Sequence, residues 1–390
     1  MSWEKKTLDQ LGSVSRGKSK HRPRNDPKLF GGQYPFIQTA DVKNANFYIT
    51  EYSDTYNETG LAQSKLWDVG TLCITIAANI ADTGILGIPA CFPDSVMGFI
   101  PYDGISDVRF VKYCFDMLQR DFKQISQGTA QDNLSWQKLS TIKFPAPPIE
   151  TQRRIADILS AYDDLIENNR KQIKLLEEAA QRLYKEWFVD LRFPGHEHTR
   201  IVDGVPEGWE KKPLSSIADV TMGQSPKSEF YNQIGEGLPF HQGVGSYGNR
   251  FVKDETYSTS FTRIAKAGSI LFSVRAPVGR LNITKNKIVI GRGIAALNHK
   301  NGLQSFLFYM LKERFFKDNL VGNGSIFASI SKDDLLHQEF IIPCENVMAQ
   351  YDKAAQNIDD KIAALDRQTE LLTQARDRLL PKLMSGEVEV

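Results

Sequence analysis

The chain has 390 residues, of which 41% are hydrophobic and 24% charged, with a net charge of +1; these are ordinary values for a globular protein of two or three domains. It has no apolar run long enough to cross a bilayer, and the opening MSWEKKTLDQ lacks the apolar core of a signal peptide, so we expect a cytoplasmic protein without membrane contact. The four cysteines lie far apart, which argues against a disulfide framework or a zinc knuckle, and we expect no metal site.

The first motif along the chain is GSVSRGKS at residues 12–19, which matches the phosphate-binding loop pattern G-x-x-x-x-G-K-[ST]. That loop needs a buried strand before it and a helix after it. Here the preceding WEKKTLDQL is polar, and Pro23 and Pro27 forbid an immediate helix. We therefore expect a turn at Gly17 without nucleotide binding, and we predict that Lys18 meets a DNA phosphate or base.

The residues around this turn form a basic loop. Residues 16–28 contain seven Lys, Arg or His side chains, and Asp26 is the only acid among them. Such a cluster is typical of phosphate contacts, although a merely solvated face has the same composition.

A long helix is predicted at residues 149–188, directly after Pro147 and Pro148. Its apolar residues alternate in steps of three and four, as in a coiled-coil seam, with a polar interruption at Asn169. The alternative is an amphipathic helix packed only on its own domain. The predicted seam residues are Ile155, Leu159, Tyr162, Ile166, Ile173, Leu176, Leu183 and Trp187.

Residues 189–206 are rich in Gly, Pro and charge and are predicted to be a linker. The chain then repeats itself, because WEKKPLSSIADVTMG at 209–223 matches WEKKTLDQLGSVSRG at 3–17. Trp209 follows Trp3 by 206 residues, and Phe340 follows Phe144 by 196. Gly17 recurs as Gly223, whereas Lys18 is replaced by glutamine, which weakens the phosphate-loop match further. A period this long indicates a duplicated domain.

The second copy has its own basic run, with seven Lys or Arg and no acid in residues 263–292. Its GVGSYG at 243–248 matches a dinucleotide-binding pattern but lacks the strand–turn–helix context, so we expect a flexible loop there. A second, weaker seam follows in residues 344–390. Its predicted residues are Ile358, Ile362, Leu365, Leu372, Leu379 and Leu383.

These observations predict an α+β fold with a pseudo-two-fold internal repeat. Two similar mixed α/β domains, at 1–148 and 207–343, are separated by two long antiparallel coiled-coil helices, at 149–188 and 344–390, with the linker at 189–206. We find no nucleophile–histidine–acid set and no adenine-methyltransferase or nuclease motif, so we expect no catalytic residues in this chain.

The duplicated plan and several stretches resemble the specificity subunit of type I restriction-modification systems. These include KFPAPPIETQRRIADILSAYDDLIENNRKQIKLLEEAAQRLYKEWF, VDLRFPG, ILFSVRAPVGRLNI and LLPKLMSGEVEV. The resemblance covers nearly the whole chain. One departure is ITIAANIADTG in the first domain, where the second has the more family-like FSVRAPVGRLN.

The resemblance implies two target recognition domains, each reading one half of a bipartite site in double-stranded DNA. It also implies two helices that dock two methyltransferase subunits, with restriction and motor subunits in the full complex. Those partners would use S-adenosylmethionine to methylate adenine, and ATP and Mg²⁺ to cleave DNA; none of these cofactors is expected in this chain.

Because the framework repeats while the loops differ, we expect an asymmetric target, with the helices acting as a ruler between the half-sites. Candidate DNA contacts lie where basic and amide side chains gather. They are Lys18, Ser19, Lys20, Arg22, Arg24 and Gln38 in the first domain, and Gln224, Ser225, Gln242, Arg275, Arg280 and Arg292 in the second.

Two other functions remain open at this stage. One is a standalone bipartite DNA-binding protein such as a repressor, which would bind a defined site tightly without a methyltransferase. The other is a coiled-coil scaffold without a DNA role, against which the acid-free run at 263–292 argues.

Overall fold

The computed structural model describes residues 3–76, 82–125, 136–315 and 329–390. The chain forms two compact units: unit 1 comprises Met1–Lys171 and Leu365–Val390, and unit 2 comprises Gln172–Ala364. Each long helix is therefore shared between the units, whereas the sequence predicted boundaries at the helix ends. Residues 77–81, in the middle of ITIAANIADTG, lie outside the described residues.

Unit 1 begins with short strands and helices and ends in the first long helix. Its elements are β1 (Lys5–Lys6), α1 (Leu8–Leu11), β2 (Gly12–Arg16), β3 (Phe30–Phe36), α2 (Thr39–Asn44), β4 (Tyr48–Ile49), β5 (Asp54–Tyr56), α3 (Glu58–Ala62), β6 (Leu66–Trp67), β7 (Leu72–Thr75), β8 (Thr83–Leu86), β9 (Ala90–Cys91), β10 (Val96–Pro101), α4 (Val108–Ile125), α5 (Trp136–Thr141), β11 (Phe144–Pro145) and the start of α6 (Ile149–Phe188).

Two sheets form the body of unit 1. One has the order β2-β10-β7-β8-β4, and the other has the order β5-β3-β9-β6. All neighbours are antiparallel except the pairs β4–β8 and β3–β9. The strand β7 is covered on both faces and is buried along its whole length. This burial matches its largely apolar sequence LCIT. The strand β1 pairs separately with β11 and so joins the two ends of the domain.

Unit 2 repeats this plan after a small hairpin. Its elements are β12 (Ile201–Val202), β13 (Val205–Pro206), β14 (Glu210–Pro213), α7 (Leu214–Ile217), β15 (Ala218–Met222), β16 (Tyr231–Asn232), β17 (Leu238–His241), β18 (Tyr257–Ser258), β19 (Ile264–Ala265), β20 (Ile270–Ser273), β21 (Leu281–Ile283), β22 (Ile288–Ile290), β23 (Ile294–His299), α8 (Gln304–Phe315), α9 (Lys332–Leu336), β24 (Glu339–Ile342) and α10 (Glu345–Ser385).

The strand orders confirm the internal repeat. The order β15-β23-β20-β21 in unit 2 corresponds to β2-β10-β7-β8 in unit 1, and β18-β17-β22-β19 corresponds to β5-β3-β9-β6. Even the parallel pair recurs, as β17–β22 in place of β3–β9. The predicted fold, two similar mixed α/β domains with two long helices, is therefore correct.

The two long helices run antiparallel within each unit. In unit 1, Ile155 and Leu159 near the start of α6 share a core with Leu380 and Leu383 near the end of α10. In unit 2 the later part of α6 meets the early part of α10, where the hydroxyl of Tyr351 donates to the carbonyl oxygen of Ala180 at 3.0 Å. Both cores also contain domain residues, so each part of the helix pair packs on the domain of the same unit as well as on the other helix.

All the predicted seam residues are buried or half-buried. Buried are Ile155, Leu159, Ile166, Ile173, Ile362, Leu365 and Leu383, and half-buried are Tyr162, Leu176, Leu183, Trp187, Ile358, Leu372 and Leu379. The polar interruption at Asn169 is satisfied within unit 1, because its Nδ2 donates to Gln368 Oε1 at 3.2 Å.

Candidate nucleic-acid interface

The turn after β2 is built by close backbone approach. The amide of Gly17 donates to the carbonyl oxygen of Val96 at 2.8 Å, and that of Lys18 to Phe92 at 3.0 Å. A Cβ atom on Gly17 would lie 2.3 Å from the carbonyl oxygen of Pro93, so only glycine fits. These two amides are already engaged and a coil follows the strand, so the turn is not a phosphate-binding loop.

The same turn follows β15 in unit 2. The amide of Gly223 donates to the carbonyl oxygen of Ile294 at 2.9 Å, and that of Gln224 to Ile290 at 2.9 Å. A Cβ atom on Gly223 would lie 2.1 Å from the carbonyl oxygen of Gly291. The glycine that repeats between the two copies is therefore required by backbone packing.

In unit 2 this packing gathers residues that are distant in sequence around the segment 291–293. The amide of Gly291 donates to His241 at 2.8 Å, and that of Gly293 to the carbonyl oxygen of Gln242 at 3.0 Å. The amide of Arg292 donates to Ser225 Oγ at 3.2 Å. Three predicted contacts thus meet at one turn, and Gln224 precedes Ser225; of the four side chains, those of Gln224, Gln242 and Arg292 are exposed.

The two remaining candidates of unit 2 lie in the connection from β20 to β21. This connection starts beside the same turn, because the amide of Val274 donates to the carbonyl oxygen of Gly293 at 3.0 Å. Arg275 and Arg280 are both exposed, and the backbone of Arg280 is bonded to Ser273.

In unit 1 the corresponding residues also approach one turn, at 92–96. Lys18 reaches it through its amide, and the segment of Gln38 reaches it because the amide of Ile37 donates to Cys91 at 2.8 Å. Gln38 is exposed and donates from Nε2 to Asp54 Oδ2 at 2.5 Å. Ser19 is only 6% exposed and its hydroxyl is buried, so its placement does not suit a direct DNA contact.

The basic loop is held in a defined conformation. Gln63 Oε1 accepts from the amides of Lys20 and His21 at 2.6 and 3.0 Å. Asp26 accepts from the amide of Lys28 and from the imidazole of His21, and these hydrogen bonds hold the pKa of its carboxyl below the usual value. The ammonium groups of Lys18 and Lys20 have no ionic partner among the described residues.

The arginines of this loop meet an acid that the local sequence does not reveal. Arg24 Nη2 lies 2.6 Å from the carboxylate of Asp94, 70 residues later. Arg22 Nη2 lies 3.8 Å from the same carboxylate, while Arg22 Nη1 donates to the carbonyl oxygens of Ser19 and His21 at 2.7 and 2.8 Å. Asp26 is the only acid within residues 16–28, but the fold brings a second carboxylate, that of Asp94, to this loop.

Sequence reasoning also missed a buried arginine that anchors the loop after β17. The side chain of Arg250 is 2% exposed, its Nη2 lies 2.5 Å from Asp359 Oδ1 on α10, and its guanidinium lies 3.7 Å from the ring centre of Phe308. Glu177 on α6 lies 3.8 Å from Nη1, and burial raises the pKa of this carboxyl. Nothing in the sequence around Arg250 marks it, since it lies in a loop without periodicity.

Two kinds of feature are absent from the described parts of the chain. No helix there combines the length and apolarity needed to span a membrane. No three His, Cys, Asp or Glu residues there are placed to hold a metal ion together.

Comparison with known proteins matches the chain to one family. The family model described as the type I restriction modification DNA specificity domain matches the chain twice, at residues 1–178 and 206–380. The type I restriction enzyme MjaIX specificity subunit of Methanocaldococcus jannaschii is 27% identical over 411 residues, covering 100% of this chain and 94% of the relative. Another protein of that organism, provisionally named as the MjaX specificity subunit, is 34% identical over 275 residues, covering 69% of this chain but only 65% of that one.

A solved structure shares the fold. The type I restriction-modification S subunit from M. genitalium superposes with a TM-score of 0.60 at 17% sequence identity, covering 98% of this chain and 96% of that one.

Proposed function

Because the chain belongs to the type I restriction-modification DNA specificity family, it is a DNA sequence-recognition subunit, and we propose that each of its two units reads one half of a bipartite site. The observation that carries this proposal is the repeated turn. In both units, backbone hydrogen bonds beside a repeated glycine bring segments that are distant in sequence together as one group at a turn. The residues in that group differ between the units.

This difference supports an asymmetric target. Lys18 in unit 1 corresponds to Gln224 in unit 2 at the repeat spacing of 206 residues. A lysine suits a phosphate or guanine, whereas a glutamine suits adenine in the major groove. Two recognition groups built on one framework but with different donors and acceptors select different bases.

The long helices are proposed to set the unread spacer and to dock two methyltransferase subunits. The helix α6 has 40 residues, which corresponds to about 60 Å at about 1.5 Å per residue. Leu175 on α6 and Leu371 on α10, at matching positions 196 residues apart, are 64% and 52% exposed. Exposed leucines repeated at equivalent places support two similar docking sites for a protein partner.

The proposal assigns no catalytic group to this chain. The methyltransferase subunits are proposed to bring S-adenosylmethionine for transfer to adenine, and restriction subunits to bring ATP and Mg²⁺ for cleavage. In this arrangement the chain supplies sequence choice and geometry, in the cytoplasm where these partners and the DNA are found.

The test is methylome sequencing of a host that carries the chain together with its methyltransferase. We expect one methylated motif with two different half-sites and a fixed unread spacer, absent when the chain is deleted. A methylated motif that is palindromic, or unchanged by the deletion, would contradict the proposal. Tight binding of a defined site by the chain without any methyltransferase would favour a repressor-like role instead.

A further inference from the structure

A four-residue turn occupies the same place in both units, and its second residue is acidic in unit 1 and basic in unit 2. In unit 1 the turn spans 93–96 and is closed by the amide of Val96 donating to the carbonyl oxygen of Pro93 at 3.0 Å. In unit 2 it spans 291–294 and is closed by Ile294 donating to Gly291 at 3.1 Å. The second residue of the turn is Asp94 in one unit and Arg292 in the other.

Three further pairs of matching backbone hydrogen bonds, one bond of each pair in either unit, establish that these two residues are equivalent. They are Gly17 to Val96 and Gly223 to Ile294, Lys18 to Phe92 and Gln224 to Ile290, and Ile76 to Ser95 and Val274 to Gly293. Every acceptor in unit 2 lies 198 residues after its counterpart in unit 1. The same spacing relates Asp94 to Arg292.

The surroundings of the two side chains differ in a consistent way. Arg292 is exposed, and its guanidinium has no partner among the described residues. Asp94 instead binds Arg24 Nη2 at 2.6 Å. Both turns therefore present a guanidinium group, which comes from the turn itself in unit 2 and from the basic loop in unit 1.

We propose that this shared turn position determines base specificity in both half-sites. On the basis of the proposed function, Arg292 contacts a guanine edge directly, and Asp94 is a positioning residue that fixes Arg24 for the corresponding contact in the other half-site. The planar guanidinium group matches the O6 and N7 acceptors of guanine in the major groove. A carboxylate behind Arg24 restricts the rotamers of a long side chain before DNA arrives, which reduces the entropy lost on binding.

Arg22 is not the reader in this proposal. Its Nη1 donates to two backbone carbonyl oxygens, and its Nη2 is 3.8 Å from Asp94. The guanidinium group of Arg22 therefore stabilises the loop itself. Arg24 has a side chain that is 48% exposed and Asp94 one that is 35% exposed, so the pair lies at the surface and contributes little to folding.

The experiment uses the complex of the chain with its methyltransferase. It selects from a double-stranded DNA library in which both half-sites are randomised. For Asp94→Asn we expect a roughly tenfold loss of guanine preference at one position of one half-site. For Arg292→Gln we expect a similar loss in the other half-site only. Asp103→Asn, which changes an exposed acid of unit 1 that has no partner among the described residues, should leave the selected motif unchanged.

The double variant Asp94→Asn with Arg24→Ala separates positioning from structural support. If Asp94 acts through Arg24, the double variant relaxes the motif no more than Arg24→Ala alone, and the melting temperature stays at the wild-type value. The inference is overturned if Asp94→Asn keeps the wild-type motif, or if both single variants relax the same half-site. A wild-type complex that selects no motif would instead contradict the proposed function itself.

Discussion

The hydroxyl of Tyr113 donates a hydrogen bond to Asp163 Oδ2 at 2.6 Å, where α4 meets α6 in unit 1. The pair recurs 196 residues later in unit 2, where Tyr309 donates to Asp359 at 2.8 Å. The counter-charge does not recur. Asp163 is neutralised by Arg376 of α10, whereas Asp359 is neutralised by the loop residue Arg250.

We predict that Arg376→Met destabilises unit 1 by about 3 kcal/mol, because it leaves the buried carboxylate of Asp163 without a cation. Urea denaturation at pH 7.5 measures the loss. Arg378→Met, at an exposed position two residues further on, serves as the control and should change the free energy of unfolding little. Equal effects of the two substitutions would show that the ion pair contributes nothing.

The same variant should be less impaired in acid. Burial raises the pKa of the Asp163 carboxyl, and the charge of Arg376 opposes this rise. A carboxyl whose pKa is raised in the folded state stabilises the fold at pH values below its unfolded-state pKa. This contribution is lost as the pH rises through the folded-state pKa. The deficit of Arg376→Met should therefore be smaller at pH 4.5 than at pH 7.5.

We expect a second effect of pH on stability, at His299 in unit 2. The amide of Asn301 donates to its Nδ1 at 3.1 Å, and its Nε2 is buried without a partner in the described parts of the chain. Burial lowers the pKa of this imidazole from 6.5. A depressed pKa gives stability that is complete above about pH 6.5 and is lost as the pH falls towards the folded value. We expect His299→Gln to reduce the fall in unfolding free energy between pH 7.5 and 5.5. His198→Gln, at an exposed position, should leave that fall unchanged.

Gly223→Ala tests the turn that organises the unit 2 site. The added Cβ would lie 2.1 Å from the carbonyl oxygen of Gly291, so the segment carrying Arg292 must move. We expect a cost of about 1–3 kcal/mol and weaker DNA binding through one half-site. Gly245→Ala meets no atom within 4 Å and is the matched control. DNA binding by both variants, measured with the methyltransferase present, decides whether the turn positions the side chains proposed to contact DNA.

Lys18→Ala distinguishes a DNA contact from a nucleotide site. Loss of one phosphate contact should lower the slope of log affinity against log salt concentration by about one. Lys5→Ala, in the strand β1 away from the turn, should not change that slope. Calorimetry should detect no ATP binding to the wild-type chain, and saturable ATP binding that Lys18→Ala abolishes would contradict this reading of the turn.

Lengthening both helices tests whether they set the length of the unread spacer. Four residues inserted after Lys171 and four after Ala364 fall at the boundaries of the two units and leave the contacts inside each unit intact. They add about 6 Å of helix and about 40° of rotation. We expect the half-sites to persist while the unread spacer grows by one or two base pairs. Arg280→Ala should do the reverse, relaxing one half-site and leaving the spacer alone; methylome sequencing separates the two outcomes.

The sequence predicted those features that depend on periodicity and repetition. The heptad spacing identified seam residues such as Ile155 and Ile362, both of which are fully buried, and the repeat of Gly17 as Gly223 identified the turn. It did not predict contacts formed between distant segments. The approach of Asp94 to Arg24 depends on how a strand connection folds over the basic loop, and the segments around Asp94 and Arg292 share no residues that would align them. Likewise, the fold places the carboxylate of Asp254 beside the acid-free run at 263–292, where it accepts a hydrogen bond from Asn286 Nδ2 at 3.1 Å.

The different origins of the two counter-charges make the recognition domains unequal as exchangeable modules. A foreign domain placed before α6 leaves Asp163 with its cation, since Arg376 belongs to the helix that stays behind. A foreign domain placed between the helices removes Arg250 and leaves the carboxylate of Asp359 without its cation, unless the donor carries an arginine at that place. New specificities made by recombination are therefore easier to obtain in the first half of the chain than in the second.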